Sequence, residues 1–239
     1  MTRPPLLFIH GAWHGSWCWE PVRRILTDRG WATAAIDLPT VHAPDKAGLG
    51  MAADADAVRT AIDAIDGDVV VVAHSYGGVP VTQGAGADRV THIVYISAFV
   101  LDTGESLFTA VGGVQPDWWN VKDGLAMAGT DAHPARSLFY ADVPAAEADA
   151  AVARLTTQSA RAYYDEVTAT AWRGRPTTYV ITEQDAVFPV EAQEALAARA
   201  GAKTARLATS HSPFLSQPGA VADIIESAAA QPGIRRHTS

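Results

Sequence analysis

The chain has 239 residues, enough for one sizeable domain with an insertion, and 48% hydrophobic against 18% charged content marks it as globular rather than disordered. A formal net charge of −8 argues against a general phosphate-binding surface, so nucleic acid is not an expected partner. No apolar stretch reaches the roughly 18 residues of a membrane span, and the single cysteine, Cys18, excludes an internal disulfide.

In chain order, residues 6–9 read as a buried strand. Pro21 starts a helix carrying Val22, Ile25 and Leu26, which ends near Gly30. Residues 32–36 form a second strand, and Val58, Ile62 and Ile65 make the apolar stripe of a helix stopped by Gly67. Residues 68–73 are the clearest strand, and their continuous β-branched character predicts cover on both faces, as in a central parallel strand. A helix over 77–87 and a strand over 90–96 complete that unit. From 99 to 173 no strong strand signal appears, only turn-rich sequence and Ala-rich helical segments such as 144–155. Strands resume at 177–181 and 203–207, and a last helix follows Pro218 with Val221, Ile224 and Ile225 on one face. The alternation predicts an α/β fold: a mostly parallel sheet with helices on both faces, built from residues 1–98 and 174–239, with a helical cap inserted over 99–173.

Ser75 lies in Ala73-His74-Ser75-Tyr76-Gly77-Gly78, where the strongest strand runs into a helix. A serine at such a corner, flanked by small residues, is the nucleophile-elbow arrangement, with Ala73 in the place usually held by glycine. A serine hydroxyl is a poor nucleophile at neutral pH and needs a base. His74 departs from the other side of the elbow and is read as a structural neighbour. In this arrangement the acid and then the histidine follow on loops after late strands. Asp185 follows the strand 177–181, and His211 follows the strand ending at Leu207. Glu183 competes as the acid, with Asp185 preferred. Asp185 would orient the imidazole while its other nitrogen takes the Ser75 proton.

The first strand ends in His10-Gly11-Ala12-Trp13-His14-Gly15-Ser16-Trp17. The backbone N–H groups of Ala12 and Tyr76 are the expected oxyanion donors. His10 and His14 have i, i+4 spacing but sit on a strand-to-loop transition without a third ligand nearby, so no metal is expected. His10 is read instead as holding the loop, and Cys18 as a small buried hydrophobe. Trp13, Trp118 and Trp119 either wall an apolar substrate pocket or pack the cap onto the core. Arg235-Arg236-His237 reads as a solvated tail. No cofactor is called for, since neither G-x-G-x-x-G nor G-x-x-x-x-G-K-[ST] occurs.

These motifs resemble the plant methylesterase and hydroxynitrile-lyase group and its bacterial carboxylesterase relatives. The resemblance runs through 10–19, 73–78, 183–185 and 211–218. It implies Ser75, Asp185 and His211 as a triad beneath a compact cap with a mostly apolar pocket. Two departures bear on the chemistry: the plant lyases carry Thr where this chain has Gly11, and Lys where it has Ser212. That Lys is thought to stabilise departing cyanide, so its absence favours hydrolysis. The expectation is a serine hydrolase acting on small hydrophobic carboxylic esters. Lyase-like or acyltransferase chemistry on the same triad, or a non-catalytic small-ligand receptor, are the alternatives. The apolar run at the N-terminus is too short for a secretory signal, so a soluble, cytoplasmic enzyme is expected, with a homodimer left open.

Overall fold

The computed structural model describes residues 3–230. The expected basic tail at Arg235-Arg236-His237 lies outside the described residues. Strands β1 (Leu6–Ile9), β2 (Thr33–Ile36), β3 (Val69–His74) and β4 (Val90–Ile96) come first. Between β4 and the late strands lie β5 (Trp119–Lys122), β6 (Leu125–Ala128) and β7 (Gln158–Ser159). Strands β8 (Thr177–Thr182) and β9 (Lys203–Leu207) complete the set. Six of these pair in parallel in the order β2-β1-β3-β4-β8-β9.

The alternation of side chains along the strands divides the core into two apolar layers. Leu6, Phe8, Val70, Val72, Val94 and Val180 pack under the helix Glu20–Asp28 and the final helix Pro218–Ala229. Leu7, Ile9, Val71, Ala73, Tyr95 and Tyr179 pack on the other side, with Val58 and Ile62 of the helix Met51–Asp63 and Val79 of the helix Gly78–Gly84. Every residue of β3 is buried, as its β-branched run predicts. The helix expected to begin at Gly77 starts one residue later and ends at Gly84. Residues Ser75–Gly77 form one tighter turn before it.

The segment between β4 and β8 holds the short helices Leu107–Ala110, Ala135–Phe139 and Ala145–Val152. It also holds a small antiparallel sheet, β5-β6-β7, which the helical expectation for this region missed. β5 and β6 are joined by Asp123 and Gly124, both at positive φ (51° and 76°), the two-residue hairpin geometry that an Asp-Gly pair favours. No helix among the described residues is long and apolar enough to cross a membrane.

Candidate active site

β3 carries His74 to the carboxyl edge of the sheet and places Ser75 at the corner that follows. Ser75 has φ 50°, a left-handed conformation that costs a non-glycine residue on the order of 1–3 kcal/mol. Close packing holds it there. The Ser75 carbonyl accepts from the Phe99 amide at 3.1 Å. A Cβ on Gly77 would lie 2.5 Å from the His10 carbonyl oxygen and 2.9 Å from that of Ile9, so the helix start touches the end of β1 directly. A Cβ on Gly11 would lie 2.7 Å from His74 Nδ1 and 2.9 Å from Ser75 Cβ. A threonine there would displace His74.

Asp185 and His211 meet on adjoining loops after β8 and β9: His211 Nδ1 lies 2.7 Å from Asp185 Oδ2, with both side chains buried. The same oxygen accepts from Ser97 Oγ at 2.5 Å and from Thr182 Oγ1 at 2.7 Å. Asp185 Oδ1 accepts from the amides of Val187 and Phe188 at 2.8 and 2.9 Å. Burial pushes the Asp185 carboxyl up, but the facing imidazole and these donors outweigh it and hold the group below the ordinary carboxylate value. Glu183 turns instead toward Arg206, 3.7 Å away at the surface.

His74 Nε2 lies 2.9 Å from the His211 carbonyl oxygen, and the two rings stand 4.6 Å apart. A carbonyl only accepts, so His74 donates from Nε2 and pins the His211 backbone to the elbow. Burial holds His74 neutral, well below the usual histidine range. Among the described residues the Ser75 hydroxyl makes no hydrogen bond, to His211 or to any other group.

The loop after β1 is fixed by its two histidines. Leu38 donates its amide to His10 Nε2 at 3.0 Å, so His10 carries its proton on Nδ1, 2.8 Å from the Gly11 carbonyl. His14 Nδ1 lies 2.7 Å from the Ala12 carbonyl, and its Nε2 accepts from the Tyr140 hydroxyl at 2.7 Å. Burial lowers the two rings to about 4 and about 3, so both stay neutral. His10, Asp37 and His42 bring ligand-type atoms within 4.8 Å of one another, but both His10 nitrogens are already engaged by the loop. No hydrogen bond from the Ala12 or Tyr76 amide is found among the described residues. Cys18 is buried and unpaired, and burial pushes its thiol up, away from nucleophilic use.

Ser75, Ala12 and Tyr76 open into a cavity of about 340 Å³. Trp13, Trp118, Trp119, Phe99, Phe188 and Tyr163 supply most of its aromatic wall, and among the described residues no Asp, Glu, Lys or Arg lines it. The three tryptophans also pack on one another, with ring centroids 5.8 to 6.2 Å apart. They therefore both wall the cavity and join the insertion to the core. Trp13 does the joining most directly. Its indole donates to the Ala126 carbonyl at 3.0 Å, and its own carbonyl accepts from Thr156 at 3.0 Å.

A buried acid beneath the elbow had no sequence signal, because its two partners, Thr40 and Tyr76, come from segments distant from it and from each other. Asp54 Oδ2 accepts from the hydroxyls of Tyr76 and Thr40, each at 2.6 Å, and Oδ1 accepts from the Thr40 amide at 2.9 Å. Gln158 donates to Thr40 Oγ1 at 3.0 Å and accepts from Tyr163 at 3.1 Å, which ties the insertion into the same network. Burial raises Asp54 from 3.8 to about 6, against the pull of its hydrogen bonds. Between those values the folded chain keeps a proton that the unfolded chain has released, so this group's contribution to stability falls as pH rises through that window. Urea unfolding should therefore show the stability of wild type falling relative to that of Asp54→Asn from about pH 4 to about pH 6 and levelling above.

Residues 6–224 match the model of the alpha/beta hydrolase family. Alpha/beta hydrolase nvfD of Aspergillus novofumigatus is 25% identical over 97% of this chain and 98% of its own length. Methylesterase 9 of Arabidopsis thaliana is 29% identical over 56% of each chain. Among solved structures, a pyrethroid hydrolase from Sphingobium faniae JZ-2 superposes with a TM-score of 0.79 at 24% identity, covering 97% of this chain and 99% of its own. That likeness speaks to the fold.

Proposed function

The chain belongs to the alpha/beta hydrolase family, and from that premise we propose that it is a serine carboxylesterase that forms an acyl-enzyme on Ser75. One observation carries the reading: a serine in strained backbone geometry faces an apolar cavity beside two free amides, while the His211–Asp185 pair is anchored to the residue just before it. Strain of this kind gathers at functional sites.

In the proposed cycle His211 takes the Ser75 proton as the hydroxyl attacks the ester carbonyl. The Ala12 and Tyr76 amides receive the negative charge that develops on the carbonyl oxygen, and Asp185 stabilises the imidazolium. His211 then protonates the departing alcohol, and afterwards activates a water that releases the acid. The Ser75–His211 hydrogen bond is of the kind that often forms only with substrate in place.

A cavity without charged lining favours a neutral, hydrophobic and preferably aromatic ester, because an unpaired charge would lose its hydration there. Residues 99–173 serve as the cap in this reading. The position after His211 supports hydrolysis rather than cyanide release: Ser212 is buried and uncharged.

The test is p-nitrophenyl acetate and butyrate turnover by wild type and Ser75→Ala, with fluorophosphonate labelling in parallel. Turnover and labelling in wild type, both lost in the variant, are expected. Equal turnover in the two proteins overturns the assignment.

A further inference from the structure

We propose that Ser97 is a positioning residue for the His211–Asp185 pair, its hydroxyl fixing which carboxylate oxygen faces the imidazole and how much of that oxygen's charge the ring receives. The inference rests on the serine-esterase reading above and goes beyond it. Ser97 is the first residue past β4 and is fully buried. Its amide donates to the Val180 carbonyl at 3.0 Å, and the next carbonyl, of Ala98, accepts from Tyr179 at 2.8 Å. The backbone is thus tied to β8 on both sides of the hydroxyl.

The donors on Asp185 fall into two sets. Thr182, Val187 and Phe188 lie within three residues of it and fix the carboxylate inside its own loop. Ser97 and His211 reach it from elsewhere in the chain. Ser97 therefore sets the acid against β4, the strand beside the one that carries Ser75. Its Oγ also lies 3.3 Å from His211 Nδ1. The one hydroxyl proton goes to the carboxylate, so a lone pair faces the imidazole N–H as a second acceptor.

Backbone preference does not account for a serine here. Ser97 has φ 42°, where glycine is the relaxed choice. A side chain kept at a position whose backbone favours none points to the hydroxyl itself.

The sign of the effect follows from charge. A donor on Asp185 Oδ2 draws off part of its negative charge. Without it, more of that charge meets His211 Nδ1–H and favours the imidazolium; the acceptor lost with it, at 3.3 Å from Nδ1, pulls the other way but is the longer contact beside the 2.5 Å donation to a charged oxygen, so the net effect is a base that holds its proton to higher pH. The other titratable groups facing the pair are His74 from β3, His14 from the loop after β1, and Tyr179 from β8. Burial lowers both histidines and raises the tyrosine, so none changes charge in the range that matters.

The experiment measures the rate of fluorophosphonate labelling and of p-nitrophenyl butyrate turnover from mildly acidic to mildly basic pH, in wild type, Ser97→Ala, Ser97→Gly and Ser75→Ala. Both Ser97 variants should lose roughly tenfold or more in kcat/KM with little change in KM. Their acid limb should move up by about half a pH unit or more. Ser97→Gly relaxes the backbone while removing the same hydroxyl, so a shift shared by both variants, each with a cooperative thermal melt, is chemical and not a folding defect. An acid limb unmoved in both variants, with Ser75→Ala inactive, overturns the role of Ser97 and leaves the esterase reading standing. Residual activity in Ser75→Ala overturns both.

Discussion

Asp185→Asn should lower kcat by about 10⁴ while leaving the fold intact, because the substitution reverses the imidazole tautomer. The argument lies in the donors around the carboxylate. Oδ1 takes two backbone amides, of Val187 and Phe188, which cannot turn away. The asparagine oxygen must occupy that place, since its NH₂ would set donor against donor. The NH₂ then falls where Oδ2 stood, facing His211 Nδ1, Ser97 and Thr182. The two hydroxyls can rotate and accept. The imidazole accommodates only by accepting on Nδ1, which moves its proton to Nε2, the nitrogen needed as base. Single-turnover acylation and thermal melting together check this: lost acylation with a near-normal melt is expected, and near-wild-type acylation would show that Asp185 does not orient the ring.

Gly77→Ala should destabilise the protein by about 3 kcal/mol, lowering the melting temperature by roughly 10 °C, and should also depress turnover. The added Cβ meets two backbone oxygens, at 2.5 and 2.9 Å. Backbone atoms of a buried strand end have no rotamer by which to move aside. Relief requires shifting either the helix start or the loop after β1. These carry the Tyr76 and Ala12 amides respectively, the donors of the proposed oxyanion site, so stability and turnover are expected to fall together. A differential scanning measurement within 2 °C of wild type, with unchanged kcat, would falsify this coupling.

The parallel sheet was legible because each strand is a short apolar run, and burial on both faces of β3 demands the β-branched sequence it has. The elbow was legible because a strand, a serine and two glycines adjoin in sequence. The loops bearing Asp185 and His211 were legible from their order after late strands. The antiparallel hairpin in the insertion was missed: its strands are four residues long, and its signal is confined to Asp123-Gly124. Ser97 and Asp54 were missed for a different reason. A buried polar residue is explained by its partners, and theirs arrive from distant segments that only the tertiary structure brings together. Ser97 did carry a weak cue, standing just past a strand at the edge where such folds place their chemistry.

Trp13, itself at a positive φ of 63°, stands next to Ala12 and holds the insertion by both its indole and its carbonyl. Roof and floor of the reaction chamber are consequently one mechanical piece. Any swing that lifted the roof from the sheet would drag the neighbouring peptide with it and, in the proposed cycle, carry off the Ala12 amide that meets the nascent negative charge. In the proposed cycle, traffic into and out of the chamber then slips between rim side chains while the roof stays seated, and the expected limit falls on the girth of an ester and not on its length.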